Sequence, residues 1–595
     1  MHVQSTVALA CALLGGAGAA PQSRNTAVCI PQQDSNPRGR AAGVAQRNSG
    51  FIYGPSLIGE AAPFPNGTLG NARSRADYAL WSVDREEIDS RLGADVQQIQ
   101  LAIQANGGLK TWDDYGKVLY DGQLKQSNPR GPAPGIISNA TQDLLFSMER
   151  LSEHPYAVRR VNPTEKLPFG VDVDIVAKLV GAGATLQSLQ ASNNLFIVDH
   201  SYQLNYTLPS IVKRYPVACT AYFYVDPKSK DFLPLAIKTN TGSDLTYTPL
   251  DSAKDWLLAK MMFNANDMFH AQMLHLVISH DVSEAVHQAA LHTLSENHPI
   301  MVILERLMLQ AYSARIVGEE LCFNPDGHWD QSMVYDQFSC RKFVTDQWPI
   351  AGKFQAGYLE TELKSRGLLN ANGQSIFKSF PFYDDAKEIR DAYKTFFQSF
   401  VNSYYKTEGD LAGDYEVQNW FVEASTHAKT QDFPSKEALN KATLVEVLTH
   451  FGFILSVAHH SQNGGAPIAS STLPFHIPAM YTPAPTSKGV QDLLPYLPDA
   501  PTTLHYLGFM ASFNRPFYVN DGRTLENTFS QKEMQTELAG LNQATNQAAA
   551  QFLTTLQGLS KKIQARSFDS NGLSGGMPFV YRTLDPNYIP FFCAV

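Results

Sequence analysis

Residues 269–280 read FHAQMLHLVISH and carry three histidines at a constant spacing of five: His270, His275 and His280. The surrounding residues 252–298 are largely apolar with helical periodicity, and Pro299 follows them. In an α-helix, five residues turn a side chain by about 140°, almost to the opposite face. A local π-bulge, with about 4.4 residues per turn, would bring side chains five apart back into line. The spacing therefore predicts either histidines without a common partner or a long central helix that widens here.

Buried histidines need partners, because an imidazole in an apolar interior loses its hydration. The partner is another polar side chain or a metal ion, and periodicity alone does not decide between the pairs 270/275 and 275/280. Histidines of the core or the surface that bind no metal remain the alternative for this segment.

A second helical pattern covers residues 436–463 and ends in AHHSQNGG, at 458–465. Asn463 lies four residues after His459 and therefore points to the same face within about 40°. The residue four after His460 is Gly464, which has no side chain, so His459 and Asn463 form the candidate ligand pair. An Asn before Gly-Gly is also an ordinary end of a helix, and the pattern leaves both interpretations open.

The composition indicates one large, mostly helical domain after residue 75. The chain has 595 residues, 44% hydrophobic content and a net charge of −9 without a basic block, which argues against nucleic-acid binding. Helical patterns cover residues 84–105 and 526–566, and strand-like runs lie between 190 and 250.

The N-terminus has the features of a secreted protein. Residues 1–19 contain a short apolar run and an Ala-Gly-Ala cleavage pattern, which predict a secretion signal. Residues 20–75 are rich in Gly, Pro, Asn and Ser and predict an extended arm. The five cysteines after the signal allow one or two disulfides and leave an odd thiol. Three glycosylation sequons begin at Asn66, Asn139 and Asn205.

Several motifs in order resemble the lipoxygenase family. They are WLLAK at 256–260, His275 and His280 five apart, Glu284, NHPI at 297–300, the later His-x3-Asn and an apolar C-terminal end. The resemblance covers residues 76–595 and implies a mainly α fold: a large helical catalytic domain with a long central helix containing a π-bulge and a few short β-strands. We expect no N-terminal β-barrel, since residues before 76 do not match one.

The resemblance also implies a ligand set for one non-haem metal ion. His270 is then a neighbour on the helix rather than a ligand. Such nitrogen and oxygen donors suit manganese or iron. The absence of a barrel, the secretion signal and the terminal Val resemble the secreted fungal branch, so we expect manganese, with iron as the alternative. The implied ligands are His275, His280, His459, Asn463 and the terminal carboxylate of Val595.

In this family the metal cycles between +2 and +3, takes a hydrogen atom from a bis-allylic CH2 of a polyunsaturated fatty acid, and O2 adds to give a hydroperoxide. The resemblance implies further roles for three residues. Gln272 would support the metal site, although it is equally an ordinary helix residue. Gly318 would open a pocket for oxygen and favour an R-type product, or simply end a helix. Arg515 would bind the fatty-acid carboxylate, or form a structural ion pair.

Three other functions compete with this hypothesis. A zinc hydrolase is disfavoured because HExxH is missing and such sites rarely use Asn. A haem peroxidase would show a Soret band. A catalytically silent secreted lipid-binding protein of the same fold would lack the intact ligand set. We expect a secreted monomer that binds a polyunsaturated fatty acid and O2, binds no nucleic acid and has no transmembrane segment; contact with a membrane surface stays open.

Overall fold

The long central helix contains the predicted π-bulge. A computed structural model describes residues 27–54, 64–211, 213–242, 244–463 and 469–594. The central helix runs as α-helix over Ala253–His275, as π-helix over Leu276–Asp281 and as α-helix again over Val282–Thr293. Ser252 caps its start by accepting a hydrogen bond from the Asp255 amide. The prediction of a helix that widens between the histidines is confirmed.

The central helix lies inside the protein and is buried on all sides. Almost every residue from Asp255 to Leu294 is buried, and the buried residues include polar and charged side chains such as Lys260 and Asp267. Pro299 does not end this helix, because the helix already stops before Leu294. Instead, Pro299 begins the next one, Pro299–Leu307, where a missing amide hydrogen costs nothing.

The second core helix also widens. It consists of Lys441–Phe453 as α-helix, Ile454–Ala458 as π-helix and His459–Gln462 as α-helix. Within the described residues, this segment is the one long and apolar enough to cross a membrane, yet 83% of its most apolar window is buried. A helix in the core of a protein has the same properties.

Two antiparallel sheets accompany the helices. Strands β1 (Ile52–Gly54) and β2 (Phe64–Asn66) form a two-stranded ribbon. The second sheet has five strands in sequential order, and four of them lie between residues 190 and 250, where strand-like runs were predicted. A β-bulge at Tyr222 and Phe223 shifts its register against the next strand. Its strands are β3 (Arg159–Arg160), β4 (Leu195–Asp199), β5 (Thr220–Val225), β6 (Phe232–Lys238) and β7 (Thr246–Tyr247).

The extended arm predicted for residues 20–75 was wrong for a large part of that stretch. A helix covers Pro37–Gly50, because Asn36 caps the Gly39 amide and Pro37 occupies the first helical position. A second helix begins at Gly67 and continues to Ala105, longer than the predicted 84–105. The Gly- and Pro-rich composition marks the helix ends here rather than a lack of structure. Residues 1–19, with the predicted signal, lie outside the described residues.

The arm also packs on the central helix. The Arg40 guanidinium forms two hydrogen bonds with the buried Glu416 carboxylate, at 2.6 and 2.9 Å. The Asn48 amide donates to the His292 carbonyl oxygen at 3.3 Å, and Arg47 donates to that of Leu294 at 3.1 Å. Residues 36–50 therefore hold the C-terminal end of the central helix in place.

The helix predicted over residues 526–566 is shorter than expected. The structure has a turn at Leu525–Asn527, a short helix at Gln531–Gln535 and a helix at Gln543–Gln564. Gly540, with a φ of +95°, interrupts the pattern. The last helix buries one face, which includes Phe552, Leu556 and Ile563. Cys29, Cys219, Cys322, Cys340 and Cys593 are free thiols.

Shorter helices surround this core. The remaining α-helices are Trp112–Tyr120, Asp143–Met148, Val173–Val180, Leu186–Ala191, Ser313–Val317, His328–Ser332, Gln337–Ala351, Leu359–Ser365, Pro381–Tyr404, Glu408–Ala412, Tyr415–Thr426, Ala500–Ala511 and Tyr518–Asp521. A third π-helix covers Gly318–Cys322, and 3-10 turns lie at Pro31–Gln33, Glu149–Leu151, Ser201–Asn205, Lys436–Ala438 and Leu494–Tyr496.

Candidate metal centre

Three imidazoles from the two core helices converge in the interior. One nitrogen each of His275, His280 and His459 lies within 4.8 Å of those of the other two. The Nε2 atoms of His280 and His459 are 3.0 Å apart. The ring centroid of His275 lies 5.5 Å from that of His280 and 5.1 Å from that of His459. The structure therefore brings together the three histidines that the sequence predicted.

The π-helices produce this convergence. His275 is the last residue before the first π-helix and His280 lies inside it, so five residues make nearly one full turn between them. His459 follows directly after the second π-helix. Sequence reasoning missed this second π-helix, since a single histidine beside it creates no unusual spacing.

The three imidazoles are neutral. Each is at most 4% exposed, and desolvation lowers the pKa of His275 to about 4. Desolvation, followed by repulsion from neighbouring histidines, holds the pKa of His280 and His459 well below the usual value of 6.5. Neutral imidazoles have the free lone pair that metal binding requires.

Asn463 adds an oxygen donor to this cluster. Its Nδ2 lies 3.5 Å from the Nε2 of His275, and its buried Oδ1 has no hydrogen-bond partner among the described residues. Asn463 is the C-cap of the helix His459–Gln462 and is right-handed, at φ −94° and ψ −53°; the left-handed conformation typical of helix ends belongs to the residue after the cap. The backbone therefore fits both interpretations, and the unpartnered Oδ1 supports the metal-ligand interpretation.

The residues present fit a manganese or iron ion. Three neutral imidazoles and an amide oxygen without a partner form a mixed nitrogen and oxygen set, with no thiolate among them. His270 stands apart from the cluster, because its Nδ1 is hydrogen-bonded to the Tyr202 hydroxyl at 2.9 Å. The Nε2 of His460 donates to the Phe592 carbonyl oxygen at 2.9 Å. The hydrogen-bonded nitrogens of His270 and His460 are therefore not free to bind a metal in this cluster.

The end of the chain lies beside the cluster. The Phe592 carbonyl contacts His460, the neighbour of His459, and the Cys593 thiol donates to the Leu455 carbonyl oxygen at 3.7 Å. Ala594 is buried. Val595 lies outside the described residues, so the role of its carboxylate stays a prediction.

Gln272 lies against the second core helix. It is fully buried, and its Nε2 donates to the Gln462 carbonyl oxygen at 3.1 Å. This hydrogen bond fixes the backbone one residue before Asn463. The supporting role predicted for Gln272 would pass through the main chain, and it stays a prediction.

Gly318 and Arg515 lie elsewhere in the core. Gly318 is buried and is the first residue of the π-helix Gly318–Cys322, directly after the helix Ser313–Val317. Arg515 is buried, and its guanidinium donates to the Asn514 carbonyl oxygen at 2.8 Å and also to that of Ser512. Desolvation lowers the pKa of Arg515. The roles predicted for both residues stay predictions.

The three sequons differ in exposure. Asn66 and Asn205 are exposed, and Asn66 uses its Oδ1 to accept the Gly67 amide. The side chain of Asn139 is half-buried and its Nδ2 donates to the Pro578 carbonyl oxygen at 2.6 Å. The first two are accessible to a glycan, and Asn139 is not.

Sequence reasoning did not foresee a buried group of charges next to His280. Arg315 forms hydrogen bonds to Glu284 at 2.7 Å and to Asp281 at 2.9 Å. Burial raises the pKa of Asp281 to about 6 and that of Glu284 to about 7, although Arg315 opposes both shifts. Glu284 entered the sequence reasoning only as part of the family resemblance. A single sequence contains no pattern that pairs Glu284 with Arg315, 31 positions later.

Comparisons with known proteins agree with this geometry. A family model described as lipoxygenase matches residues 171–571. A manganese lipoxygenase of Fusarium oxysporum is 45% identical over 574 residues, which are 96% of this chain and 93% of the relative. A solved structure of manganese lipoxygenase of Gaeumannomyces graminis is 43% identical, with a TM-score of 0.92 over 96% of this chain and 100% of that one. A calcium-dependent 11R-lipoxygenase, 20% identical, shares the fold with a TM-score of 0.77, over 96% and 83% of the two chains.

Proposed function

This chain belongs to the lipoxygenase family, and from that membership we propose that it is a secreted manganese enzyme that acts as a monomer. The enzyme is a dioxygenase that acts on polyunsaturated fatty acids. The overall reaction adds both atoms of O2 to the fatty acid and yields its hydroperoxide, so no external reductant is consumed. The observation that carries the proposal is the buried cluster of three neutral imidazoles beside an unpartnered amide oxygen.

His275, His280, His459 and Asn463 would hold the ion. When bound, the ion supplies one-electron redox chemistry, in which a hydrogen atom leaves the bis-allylic carbon and later returns to the fatty-acid peroxyl radical. The surrounding protein excludes water, because the three imidazoles and Asn463 are all buried. Gln272 holds the main chain at Gln462 and thereby the position of Asn463.

Manganese rather than iron is proposed from the relatives. The Fusarium and Gaeumannomyces proteins are named manganese lipoxygenases, and this donor set accepts either metal. Manganese binds less tightly than iron in the usual order, so a protein secreted from the cell would need a well-fixed site to retain it.

Secretion is proposed from the sequence and is compatible with the folded surface. Residues 1–19 have the pattern of a cleaved signal. Asn66 and Asn205 are exposed, as sites of N-glycosylation must be. A zinc hydrolase and a catalytically silent lipid-binding protein remain the alternatives that the experiment must exclude.

The test combines metal analysis with oxygen uptake. Purified protein should contain about one manganese per chain and should consume O2 with linoleate while a conjugated diene forms. His280→Gln should lose both properties, and His270→Gln, a histidine on the same helix outside the cluster, should keep the metal. Zinc in place of manganese would favour the hydrolase, and full metal occupancy without oxygen uptake would favour the silent protein.

A further inference from the structure

The Nε2 atom of His280 faces the metal site. It lies 3.0 Å from the Nε2 of His459, inside the cluster. A neutral imidazole that binds a metal through Nε2 keeps its proton on Nδ1. His280 therefore presents an N–H group on the side away from the metal, and this group is buried and has no hydrogen-bond partner among the described residues.

Glu284 is the acceptor within reach of this N–H. It lies four residues later, on the same face of the helix, and its Oε1 is 3.9 Å from the Nδ1 of His280. This Oε1 also has no hydrogen-bond partner among the described residues. The gap is too short for a bridging water, which needs about 4.5 Å between its two partners. A movement of about 1 Å would therefore close a direct hydrogen bond.

Arg315 holds the Glu284 carboxylate from the other side. Its Nε donates to Oε2 of Glu284 at 2.7 Å, and its Nη2 donates to Asp281 at 2.9 Å. All three side chains are at most 2% exposed. The carboxylate is fixed through one oxygen, which leaves the other on the side of His280.

On the basis of the proposed metal site, we propose that Glu284, held by Arg315, is a positioning residue that orients the ring of His280 by accepting a hydrogen bond from its Nδ1. A carboxylate in this position makes the imidazole a stronger electron donor and favours the higher oxidation state of the metal. The inference goes beyond the ligand set, since it assigns a role to a buried ion pair that binds no metal itself.

The competing explanation is that the ion pair only joins the central helix to the helix Ser313–Val317. Asp385 provides the control, because this buried carboxylate forms a partly buried ion pair with Arg566 at 2.8 Å and lies on a helix without any proposed ligand. Asp385→Asn should lower thermal stability without any effect on the metal. The experiment must therefore measure the metal as well as stability.

The test compares Glu284→Gln, Glu284→Leu and Asp385→Asn. Removing such a supporting group weakens metal binding by about 10- to 100-fold, so we expect manganese to pass to excess EDTA correspondingly faster from Glu284→Leu. Glu284→Gln keeps an acceptor and should release manganese at an intermediate rate, with a changed Mn(II) EPR spectrum. Asp385→Asn should match the unchanged protein in both measurements.

Cobalt(II) separates this inference from the proposed function, because its visible spectrum reports ligand geometry without catalysis. If the unchanged protein lacks oxygenase activity but Glu284→Gln shifts the cobalt spectrum, the proposed function fails and the positioning role stands. If the activity is normal but both Glu284 variants keep the spectrum and the release rate of the unchanged protein, the positioning role is refuted. Should Glu284→Leu not fold, the nearly isosteric Glu284→Gln carries the test.

Discussion

Replacing Asn463 with leucine is expected to stabilise the metal-free protein while it weakens metal binding. The two effects have opposite signs because the Oδ1 of Asn463 is buried without a hydrogen-bond partner among the described residues. In the metal-free protein this oxygen is only a desolvated polar atom. In the metal-bound protein it is a ligand.

The size of the stabilisation follows from the contacts. An unsatisfied buried polar group costs about 1–3 kcal/mol, and the Nδ2 contact to His275 at 3.5 Å is too long to offset much of that. Unfolding entropy of about 2.1 cal/mol/K per residue gives about 1.2 kcal/mol/K for this chain. Removing the amide should therefore raise the Tm of the metal-free protein by about 1–2 °C.

Asn266 supplies the matched control, since it is a buried Asn whose polar atoms are all satisfied. Its Nδ2 donates to the Gln203 side chain and to the Val217 carbonyl oxygen, both at 2.6 Å. Its Oδ1 accepts the Cys219 amide at 2.8 Å. Asn266→Leu leaves two buried groups, Gln203 Oε1 and the Cys219 amide, without partners, since the Val217 carbonyl keeps the Tyr335 hydroxyl. It should cost on the order of 2–6 kcal/mol, which lowers the Tm by about 2–5 °C.

The assay is thermal unfolding of the EDTA-treated and the metal-loaded forms of each variant. Asn463→Leu should show a smaller Tm increase on addition of manganese than the unchanged protein, because weaker binding stabilises less at the same metal concentration. Asn266→Leu should keep the full increase. If Asn463→Leu instead lowers the Tm of the metal-free protein and keeps the full metal-induced increase, Asn463 is a structural helix end and not a ligand.

Three further outcomes can be measured. Asp267→Asn removes one of the two carboxylates that pair with the buried Arg150 guanidinium, at 2.7 Å, and leaves that of Glu149 at 2.8 Å. The buried charge keeps a partner, so the change should cost about 1–3 kcal/mol, seen as a Tm lower by about 1–2 °C with unchanged metal content; lost metal would contradict a purely structural role. Desolvation lowers the pKa of His450 to about 3. Between pH 6.5 and 3 this histidine is neutral in the folded chain and protonated in the unfolded chain. It therefore lowers the free energy of unfolding by about 1.4 kcal/mol for each unit by which the pH decreases. His450→Phe should lessen this loss of stability at low pH, and an unchanged pH dependence would refute the shift. Peptide mapping of secreted protein should find glycans on the two exposed sequons and none on Asn139.

The central helix could be predicted from sequence because its unusual feature is local. Two histidines five residues apart can share one partner only if the helix has more than 3.6 residues per turn, and Leu276–Asp281 has that geometry. The pairing of His459 with Asn463 is also local, since a spacing of four places both on one face. In both cases the backbone within one or two turns determines the outcome.

Features that depend on distant contacts were missed. The π-helix Ile454–Ala458 cannot be recognised from the spacing of polar residues, because His459 is the one histidine of the cluster that lies next to it. The Glu284–Arg315 pair joins two helices whose packing is decided by the whole core. The helix Pro37–Gly50 was missed for another reason, because Gly, Asn and Arg content was given more weight than the capping Asn36 and the helical Pro37.

Four unsatisfied polar atoms lie beside the two π-helices. Buried polar atoms without partners among the described residues occur throughout the core, and those near the proposed ligands include Gln272 Oε1, His280 Nδ1, Glu284 Oε1 and Asn463 Oδ1. A core selected for stability alone would place leucine at such positions and continue the α-helices without widening. Both deviations together raise the free energy of the metal-free protein at one place, and the same deviations bring the three imidazoles within 4.8 Å of one another. Of these four atoms, Asn463 Oδ1 is a proposed ligand, so a bound metal would offset its desolvation and couple folding to metal affinity. A variant that repairs the helix geometry should consequently gain stability only by losing the metal.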